Sequence, residues 1–202
     1  AIAVAEKWFG CGKNYQNFIS LLVSKGVGAG VILDGHIYHG SFGFAGELGH
    51  VSIDYNGPQC ECGNKGCLEL YCSTLAFLKR AQKIFGTQEI TGFYDVKNRF
   101  EQRDPQMLEL IKEVGFYLGV AIVNLVNSYN PGLIVLNGEM TIFGSILLNS
   151  IKQTVKERLS PSIYSNLRIE FSSLPESPVL LGTIAMICEY VFENPDLKLF
   201  YD

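Results

Sequence analysis

Residues Gly46–Ser73 read GELGHVSIDYNGPQCECGNKGCLELYCS and bring one histidine near a run of three closely spaced cysteines. Cys60, Cys62 and Cys67 form a C-x-C-x4-C pattern. His50 lies upstream of them, across one predicted short strand. Three thiolates and one imidazole complete a tetrahedral zinc site and leave no position for a reactive water. The segment therefore predicts a structural zinc ion, with a catalytic zinc ion as the weaker alternative.

Two glycines, Gly63 and Gly66, lie among these cysteines. A chain that wraps around one ion must adopt positive φ angles, which glycine does without steric cost. Disulfide bonds are the alternative explanation of the cysteines. However, Cys60 and Cys62 are too close in sequence to pair comfortably, and we recognise no secretory signal that would indicate an oxidising compartment. We therefore expect zinc binding in a reducing, cytoplasmic setting.

Two carboxylates flank the zinc segment, Glu47 before His50 and Glu69 after Cys67. An ion that holds His50 and Cys67 also brings these carboxylates toward a common region. Carboxylates accept hydrogen bonds from neighbouring hydroxyl groups, so a pair of them beside an imidazole suits a sugar better than an anion. The alternatives are a solvated surface charge at either position or, for Glu69, an acidic residue in the first turn of a helix that begins after Gly66.

The pattern G-E-L-G-H followed by C-x-C-G-N-K-G-C-L-E resembles the motif of the ROK family, which comprises repressors, open reading frames and sugar kinases. The resemblance implies an actin-like, ribonuclease H-like sugar kinase fold of two lobes, with this chain as the larger C-terminal lobe. It implies that zinc is bound by His50, Cys60, Cys62 and Cys67. It implies that sugar is bound by Glu47, His50 and Glu69. His50 would then serve both ligands, with one ring nitrogen on the metal and the other on a sugar hydroxyl.

The composition of the chain is that of a globular protein. With 202 residues, 48% of them hydrophobic, the chain is long enough to bury a core and to form one large domain. Its formal net charge of -4 predicts no basic face for nucleic acid, so we expect DNA contact only through a domain outside these residues. The apolar stretch Val114–Val126 is too short to span a membrane, and we expect no membrane association.

The first residues, Ala1–Phe9, favour a helix that ends at Gly10, but no N-cap residue precedes it. We therefore expect the chain to be part of a longer protein. In the ROK family the corresponding helix follows an Asn-Asp pair, whose aspartate is the catalytic base of the kinases. The resemblance implies that this pair, the first lobe with its phosphate loop and any helix-turn-helix domain lie outside these residues. We assign no catalytic residue within them.

Hydrophobic periodicity predicts an α/β domain without internal repeats. The predicted strands are Asn17–Ser24, Leu133–Leu136, Leu167–Ser172 and a hairpin over Gly30–Gly40 that turns at Asp34-Gly35. The predicted helices are Leu75–Phe85, Ser145–Leu159, a closing helix over 180–192 and a long helix from Pro105 toward Ser128. On the long helix, Gly115 and Gly119 lie one turn apart and predict the close approach of another backbone. The polar stretch Thr87–Arg103 gives no clear assignment.

Three glycines are candidates for contact with a nucleotide phosphate: Gly26, Gly28 and Gly138. Gly26 and Gly28 belong to a predicted loop over 24–30, and Gly138 follows a predicted strand at a position that often borders a ligand crevice. Such glycines let backbone amides approach a phosphate, although they also mark ordinary tight turns. Kinases of the ROK family carry G-T-G where this chain has Ser24-Lys25-Gly26, and a run of glycines where it has Asn137-Gly138-Glu139. Both departures weaken the case for ATP binding.

Two functions are consistent with these patterns. In the one we favour, the chain is the sugar-sensing, oligomerising domain of a ROK family transcriptional regulator of the NagC/XylR type, with structural zinc and a dimeric assembly. In the other, it is the C-terminal part of a glucokinase-like sugar kinase, and ATP is then a cofactor. We favour the regulator because the sugar and zinc positions are kept while the ATP positions depart. We expect no enzyme activity from these residues alone. A third possibility is a dimerising scaffold that has kept only the fold.

Overall fold

A mixed five-stranded sheet lies at the centre of the computed structural model, which describes residues 1–175 and 177–193. Its strands are β1 (Phe18–Val23), β2 (Val27–Leu33), β3 (His36–Ile37), β4 (Leu133–Asn137) and β5 (Arg168–Phe171). Their order across the sheet is β3-β2-β1-β4-β5. Strand β1 pairs antiparallel with β2 and parallel with β4, and β4 pairs parallel with β5. The carboxyl ends of β1 and β4 therefore meet at the same end of the sheet.

Helices cover both faces of this sheet. Within the described ranges they are α1 (Ile2–Phe9), α2 (Glu69–Cys72), α3 (Thr74–Phe85), α4 (Phe93–Glu101), α5 (Pro105–Tyr129), α6 (Gly144–Arg158), α7 (Pro161–Tyr164) and α8 (Pro178–Glu193). Helices α3 to α6 share one hydrophobic core with Ile19 and Leu21 of β1. On the opposite face, Ala3 of α1 packs with Phe18 and Ile32. Alternate residues of β1 thus face different helical layers, which confirms the predicted α/β class.

The longest helix, α5, begins and ends as its sequence predicts. The Asp104 carboxylate accepts hydrogen bonds from the backbone N–H groups of Gln106 (2.9 Å) and Met107 (3.2 Å), which satisfies two donors of the first turn. The helix ends before Asn130, whose φ of 47° lies in the left-handed region. These end contacts fix the position of a helix whose buried residues run from Met107 to Val126.

Two glycines on α5 permit the close approach of α6. A Cβ atom at Gly115 would lie 2.6 Å from the Cβ of Ser150, and one at Gly119 would lie 2.5 Å from the Cβ of Thr154. Both separations are shorter than any pair of carbon atoms tolerates. The predicted approach of another backbone to these glycines is confirmed, and α6 provides it.

Helix α1 is fixed between the sheet and α8. A Cβ atom at Gly30 would lie 2.4 Å from the Cβ of Ala3, so this glycine lets α1 lie directly on β2. On its other side, Glu189 of α8 accepts hydrogen bonds from Lys7 Nζ and Trp8 Nε1, both at 2.7 Å. The start of the chain is thereby held against the closing helix, which was predicted at 180–192 and runs over Pro178–Glu193.

Most predicted elements are confirmed, but the start of the second strand was placed wrongly. Strand β2 begins at Val27, so Gly28 lies within a strand and the turn between β1 and β2 consists of Ser24-Lys25-Gly26. The predicted hairpin turn at Asp34-Gly35 is present, with φ angles of 49° and 79°. The unassigned polar stretch 87–103 contains α4. Within the part of the chain that the structure describes, no helix is long and apolar enough to cross a bilayer.

Candidate metal centre and adjoining cavities

The segment around Cys60 forms a tight turn that folds back on itself. The backbone N–H of Cys60 donates to Asn64 O at 2.8 Å, and that of Gly63 donates to Cys60 O at 3.1 Å. Gln59 and Lys65 form a bridge across the base of the turn. Gly63 has a φ of 93°, which side chains disfavour. The glycine in this segment thus has the backbone role that the sequence predicts.

A single bridge connects this turn to the segment that carries His50. Ser52 pairs with Cys67 as an isolated bridge, and His50 is the last residue of a short 3₁₀ turn. The predicted short strand between His50 and the cysteines was wrong. The chain reverses again at once, where Gly57 N donates to Asp54 O at 2.9 Å, so no longer ladder of strand hydrogen bonds can form.

The four predicted zinc ligands meet at one point. The Nδ1 atom of His50 lies 3.8 Å from Cys60 Sγ, and Cys62 Sγ lies 3.6 Å from Cys67 Sγ. All four ligand atoms lie within 4.8 Å of one another. A zinc ion about 2.3 Å from each sulfur, at the centre of a tetrahedron, requires sulfurs roughly 3.8 Å apart. These two separations therefore match the donor spacing of a closed tetrahedral site.

The protonation of the sulfurs also favours a cation at this point. Burial, and after it the neighbouring sulfurs of Cys60 and Cys62, together raise the pKa of Cys67 to about 12. The backbone N–H of Asn64 lowers the pKa of the exposed Cys62. All six cysteines are free, so disulfide bonds do not explain the cluster. Thiolates this close together need a positive charge among them to ionise together.

His50 and Glu69 line a cavity of about 490 Å³, here called the His50 cavity. Glu69 is half-buried, and its Oε2 atom accepts a hydrogen bond of 3.0 Å from the backbone N–H of Val27. Gly26 and Gly49 leave room for this carboxylate, because a Cβ atom on them would lie 2.8 Å and 3.4 Å from Glu69 Oε2. One side of the metal centre and one fixed carboxylate thus share a cavity wall.

Glu47 lines a different cavity from the other two predicted sugar ligands. It is exposed and lines a second cavity of about 530 Å³, here called the Glu47 cavity, together with the aromatic side chains of Tyr38, Phe42 and Phe44. It directly precedes the 3₁₀ turn that ends at His50. The structure thus brings His50 and Glu69 into one cavity and lines another with Glu47.

One observation decides the family. The profile of the ROK family matches residues 1–189. The chain belongs to the ROK family. The resemblance of the Gly46–Ser73 segment to the ROK motif is therefore confirmed, and the chain has the sugar kinase-like ROK fold, with its mixed sheet and flanking helices.

Named ROK proteins of two kinds are similar to the chain. A xylose repressor of Bacillus spizizenii is 37% identical over 191 residues, which are 95% of this chain and 49% of that protein. A glucokinase of Thermotoga maritima is 30% identical over 203 residues, which are 95% of this chain and 64% of that protein. The crystal structure of a ROK family transcriptional regulator, a homologue of the Escherichia coli MLC protein, superimposes with a TM-score of 0.84 and 32% identity, covering 95% of this chain and 50% of that one. The chain spans about half the length of the repressors that it matches.

The three candidate nucleotide glycines of this ROK chain have different surroundings. Gly26 lies in the turn after β1, and Gly138 follows β4 with a φ of 101°. A Cβ atom on Gly138 would lie 2.3 Å from Val23 O, so Gly138 packs against the last residue of β1. Gly28 lies in β2 beside open space, since a Cβ atom on it would contact nothing within 4 Å. Gly26 and Gly138 thus occupy the same end of the sheet.

Two residues that sequence reasoning did not single out also line the His50 cavity. Lys79 and Lys83 of α3 contribute to its wall, as does Lys25 in the turn between β1 and β2. The sequence of α3 shows two lysines four residues apart, which is the spacing of neighbours on one helix face. This spacing could have indicated a basic surface, but only the fold places that surface beside His50.

Proposed function

We propose that this chain is the sugar-binding domain of a ROK family transcriptional regulator, in which a structural zinc ion holds one wall of the sugar cavity. The observation that carries the proposal is the shared position of His50, which belongs both to the four-residue ligand cluster and to the His50 cavity. The similarity to a xylose repressor and to a ROK regulator structure supports the regulator over other functions.

The zinc ion would have a structural role. Its four ligands would be the Nδ1 atom of His50 and the sulfurs of the cluster, which leaves no position for water. The peptide oxygen of His50 accepts a hydrogen bond from Asn64 Nδ2 at 3.1 Å. In the metal-free protein it also accepts one of 3.4 Å from the Cys67 thiol, whose proton zinc would displace. The contact with Asn64 orients His50 from its backbone, and the ion would fix its ring.

The sugar would be held by hydrogen bonds from His50 and Glu69. With Nδ1 of His50 on the metal, Nε2 carries the proton and donates to a sugar hydroxyl. Glu69 uses Oε2 for Val27 N–H, which fixes the carboxylate and leaves Oε1 to accept from a hydroxyl. Glu47 would add a third contact if the sugar extends past the turn that carries His50. Binding would stabilise one arrangement of the complete protein and so change the spacing of DNA-binding domains outside this chain.

A zinc measurement tests the metal part of the proposal. Replacing Cys62 by Ser should reduce the zinc content of the purified protein from one equivalent to nearly none, because a neutral hydroxyl is a poor zinc ligand. Cys11→Ser is the matched control, since Cys11 lies outside the cluster and should leave one equivalent bound. A Cys62→Ser protein with full zinc content would refute the assignment of Cys62 as a ligand.

The second candidate function is an ATP-dependent sugar kinase. It is favoured by the similarity to a glucokinase and by the position of Gly26 and Gly138 at one end of the sheet. Against it, Ser24-Lys25-Gly26 forms a tight hairpin turn in which Ser24 N donates to Gly26 O at 2.9 Å. That hydrogen bond removes one backbone donor from any phosphate.

Two assays on the full-length protein distinguish the functions. One measures ATP-dependent phosphorylation of a panel of pentoses and hexoses, and the other measures binding to operator DNA with and without the same sugars. The proposal expects sugar-dependent release or capture of DNA and no efficient phosphorylation. Efficient phosphorylation of any sugar in the panel would contradict it, and sugar binding without either effect would leave a scaffold or transport role.

A further inference from the structure

A closed ring of side-chain contacts beside the His50 cavity joins α2, α3 and α5. Arg80 of α3 donates from Nη1 to the peptide oxygen of Tyr71 at 3.3 Å, and its Nη2 atom forms an ion pair with Glu113 of α5. The Tyr117 hydroxyl donates to Glu113 Oε1 at 3.4 Å, and the centroids of the Tyr117 and Tyr71 rings lie 4.7 Å apart. These four residues, here called the Arg80 clamp, therefore connect three helices to one another.

The Arg80 clamp holds the end of the helix that carries Glu69. Helix α2 has four residues, Glu69–Cys72, and a helix this short depends on contacts with other elements for its stability. Its last peptide oxygens have no partner within the helix, and an arginine near a helix C-terminus can bind such oxygens. Arg80 does so at Tyr71 O. The position of Glu69 thus depends on contacts that α3 and α5 make with α2.

The clamp also reaches the loop between His50 and the cysteines. The Tyr71 hydroxyl donates to Asp54 Oδ2 at 3.2 Å. Burial, and after it the charge of Asp54, raises the pKa of Tyr71, so the phenol keeps its proton and remains a donor at neutral pH. Tyr71 therefore contacts the metal loop with its side chain and α3 with its peptide oxygen.

The clamp has one member inside the His50 cavity and its ionic partner outside it. Arg80 lines the cavity, whereas Glu113 lies outside the lining. Two different guanidinium nitrogens contact Tyr71 O and Glu113, and the guanidinium carbon lies 6.0 Å from the centroid of the Tyr117 ring. A planar fork can hold two partners in fixed directions, which a single ammonium group cannot do. Glu113 is thus placed to affect the cavity through Arg80 without contacting a ligand.

We infer that Arg80 is a positioning residue of the sugar site: held by Glu113, it fixes α2 and so sets the position of the Glu69 carboxylate. The inference rests on the proposed function, in which Glu69 accepts from a sugar hydroxyl. The geometry that Arg80 maintains is the hydrogen bond of 3.0 Å from Val27 N–H to Glu69 Oε2. A shift of α2 that breaks this bond also misplaces Oε1, because the supporting contacts of a binding residue determine how precisely it is held.

Hydrogen exchange tests the positioning in the absence of any sugar. The exchange rate of the Val27 amide is measured by mass spectrometry on the zinc-loaded full-length protein. We expect the Val27 amide to exchange about tenfold or more faster in Arg80→Ala than in the unmodified protein, because the amide loses its acceptor. Arg80→Lys keeps the charge but not the planar fork, and should also accelerate exchange. Unchanged exchange at Val27 in either variant would overturn the inference.

Calorimetry on the same proteins tests the consequence for binding. The probe is whichever pentose or hexose of the panel the unmodified protein binds most tightly. Arg80→Ala should weaken binding about tenfold or more, as expected when a binding group is misplaced. Glu113→Ala should weaken it in the same direction, and the double variant should lose no more than Arg80→Ala alone, because Glu113 acts through Arg80. Fully additive losses in the double variant would overturn this assignment.

The matched control is Glu109→Ala. Glu109 lies one turn before Glu113 on α5 and pairs with Lys112, so the control removes a carboxylate and an ion pair of the same helix outside the clamp. It should bind the sugar, and exchange the Val27 amide, as the unmodified protein does. Equal effects of Glu109→Ala and Glu113→Ala would show a general effect of α5 and overturn the inference.

The inference and the proposed function fail in different ways. If the unmodified protein binds no sugar of the panel, the proposed function is overturned, and exchange at Val27 still shows whether Arg80 positions Glu69. Sugar binding that is undiminished in Arg80→Ala overturns the inference and leaves the sugar cavity in place. Weakened sugar binding with unchanged exchange at Val27 would make Arg80 a direct sugar ligand, which also overturns the positioning role.

Discussion

At the scale of single residues, Asn64 connects the metal centre to its backbone support. Its Nδ2 atom donates to His50 O at 3.1 Å, and its own peptide oxygen accepts from Cys60 N at 2.8 Å. It thus links two of the proposed ligands without contacting the ion. A residue that orients ligands in this way acts on the affinity for metal through their geometry.

Replacing Asn64 by Ala should weaken zinc binding by about 10- to 100-fold, the usual cost of losing such a supporting contact. The variant keeps all four ligands, so its zinc stoichiometry at saturating metal should remain one. Competition with a chromophoric chelator measures the affinity. Asn56→Ala is the control on the same loop, and an equal loss in both would mean that loop disorder and not the contact to His50 is responsible.

Substitutions at Gly66 and Gly63 distinguish the cost of steric overlap from the cost of backbone strain in the cysteine turn. Both have positive φ angles, 63° and 93°, but a Cβ atom on Gly66 would lie 1.7 Å from Asp54 O, whereas one on Gly63 would contact nothing within 4 Å. Gly63→Ala should cost only the backbone strain, about 1 kcal/mol of unfolding free energy. Gly66→Ala should cost about 2–4 kcal/mol, since the steric overlap adds to it. Urea denaturation measures both, and equal losses would contradict the overlap.

The raised pKa of Cys67 predicts the direction in which pH changes zinc affinity. With a pKa of about 12, this thiol carries a proton in the metal-free protein at any ordinary pH. Zinc binding must displace that proton, so a lower pH opposes binding. Each displaced proton weakens the apparent affinity about tenfold per pH unit, which gives about 100-fold or more between pH 8 and pH 6. Chelator competition across this range is the measurement, and a flat profile would exclude Cys67 as a displaced thiol.

At the scale of elements, capping residues in the sequence predicted where helices begin and end, whereas glycines within a strand led to a wrong strand boundary. Helix α5 was found from Asp104 and Pro105, whose effect is local and independent of the fold. Strand β2 was begun too late because V-G-A-G resembles a loop. Gly30 is required there by the Cβ of Ala3, a contact between distant parts of the chain that no local pattern reveals.

Helix α4 is a second element that local sequence patterns did not reveal. Its residues Phe93 and Phe100 contact the ring of Phe143, with centroids 6.0 Å and 5.2 Å apart. The spacing of the two phenylalanines suits a helix, but the polar residues around them obscure the hydrophobic pattern. Much of the stability of such a helix comes from packing against another element, which the local sequence does not show. The one strong local feature is Asp95, whose carboxylate accepts from the backbone of Thr91 and Gly92, and the sequence analysis overlooked it.

Local sequence patterns also revealed only part of the candidate site. The zinc ligands could be predicted because four donors within eighteen residues have few alternative arrangements. The sequence could not predict that Glu47 and Glu69 line different cavities, because this depends on how the turn at His50 and helix α2 are placed in the fold. The position of Lys79 and Lys83 beside His50 was missed because only the fold brings helix α3 to that cavity.

The contact between α5 and α6 gives a test of packing at the scale of two helices. Gly119→Ala improves helix propensity by about 1 kcal/mol, but the new Cβ would lie 2.5 Å from the Cβ of Thr154 and 3.1 Å from Ile151 O. Overpacking of this kind costs about 1–3 kcal/mol, so we expect a net loss of unfolding free energy of up to about 2 kcal/mol. Asn124→Ala at an exposed position of α5 should be neutral or slightly stabilising. Denaturation midpoints measure the change in stability of both variants. A stabilised Gly119→Ala variant would mean that α6 moves away from α5 at little cost.

At the scale of the whole molecule, the metal centre is joined to the sheet by backbone hydrogen bonds. Leu68 N donates to Val51 O at 3.0 Å, and Glu69, next in sequence, accepts from Val27 at the start of β2. The turn before Val27 is in turn bonded to the start of α3. A change in the order of the cysteine turn is therefore transmitted to Glu69 and to both sides of the His50 cavity.

This connection predicts that sugar binding requires the metal, whereas zinc binding does not require Glu69. Removing zinc with a chelator should abolish sugar binding, because the ring of His50 and the segment before Glu69 lose their anchor. Glu69→Gln should abolish sugar binding and keep one equivalent of zinc, since Glu69 is not among the clustered ligands. Thermal unfolding measures sugar binding to each protein. A sugar at 100 times its Kd should stabilise the zinc-loaded chain by about 2.7 kcal/mol. The same sugar should stabilise neither the chelated chain nor the Glu69→Gln variant. Undiminished stabilisation of the chelated chain by sugar would separate the two sites and remove the role proposed for the metal.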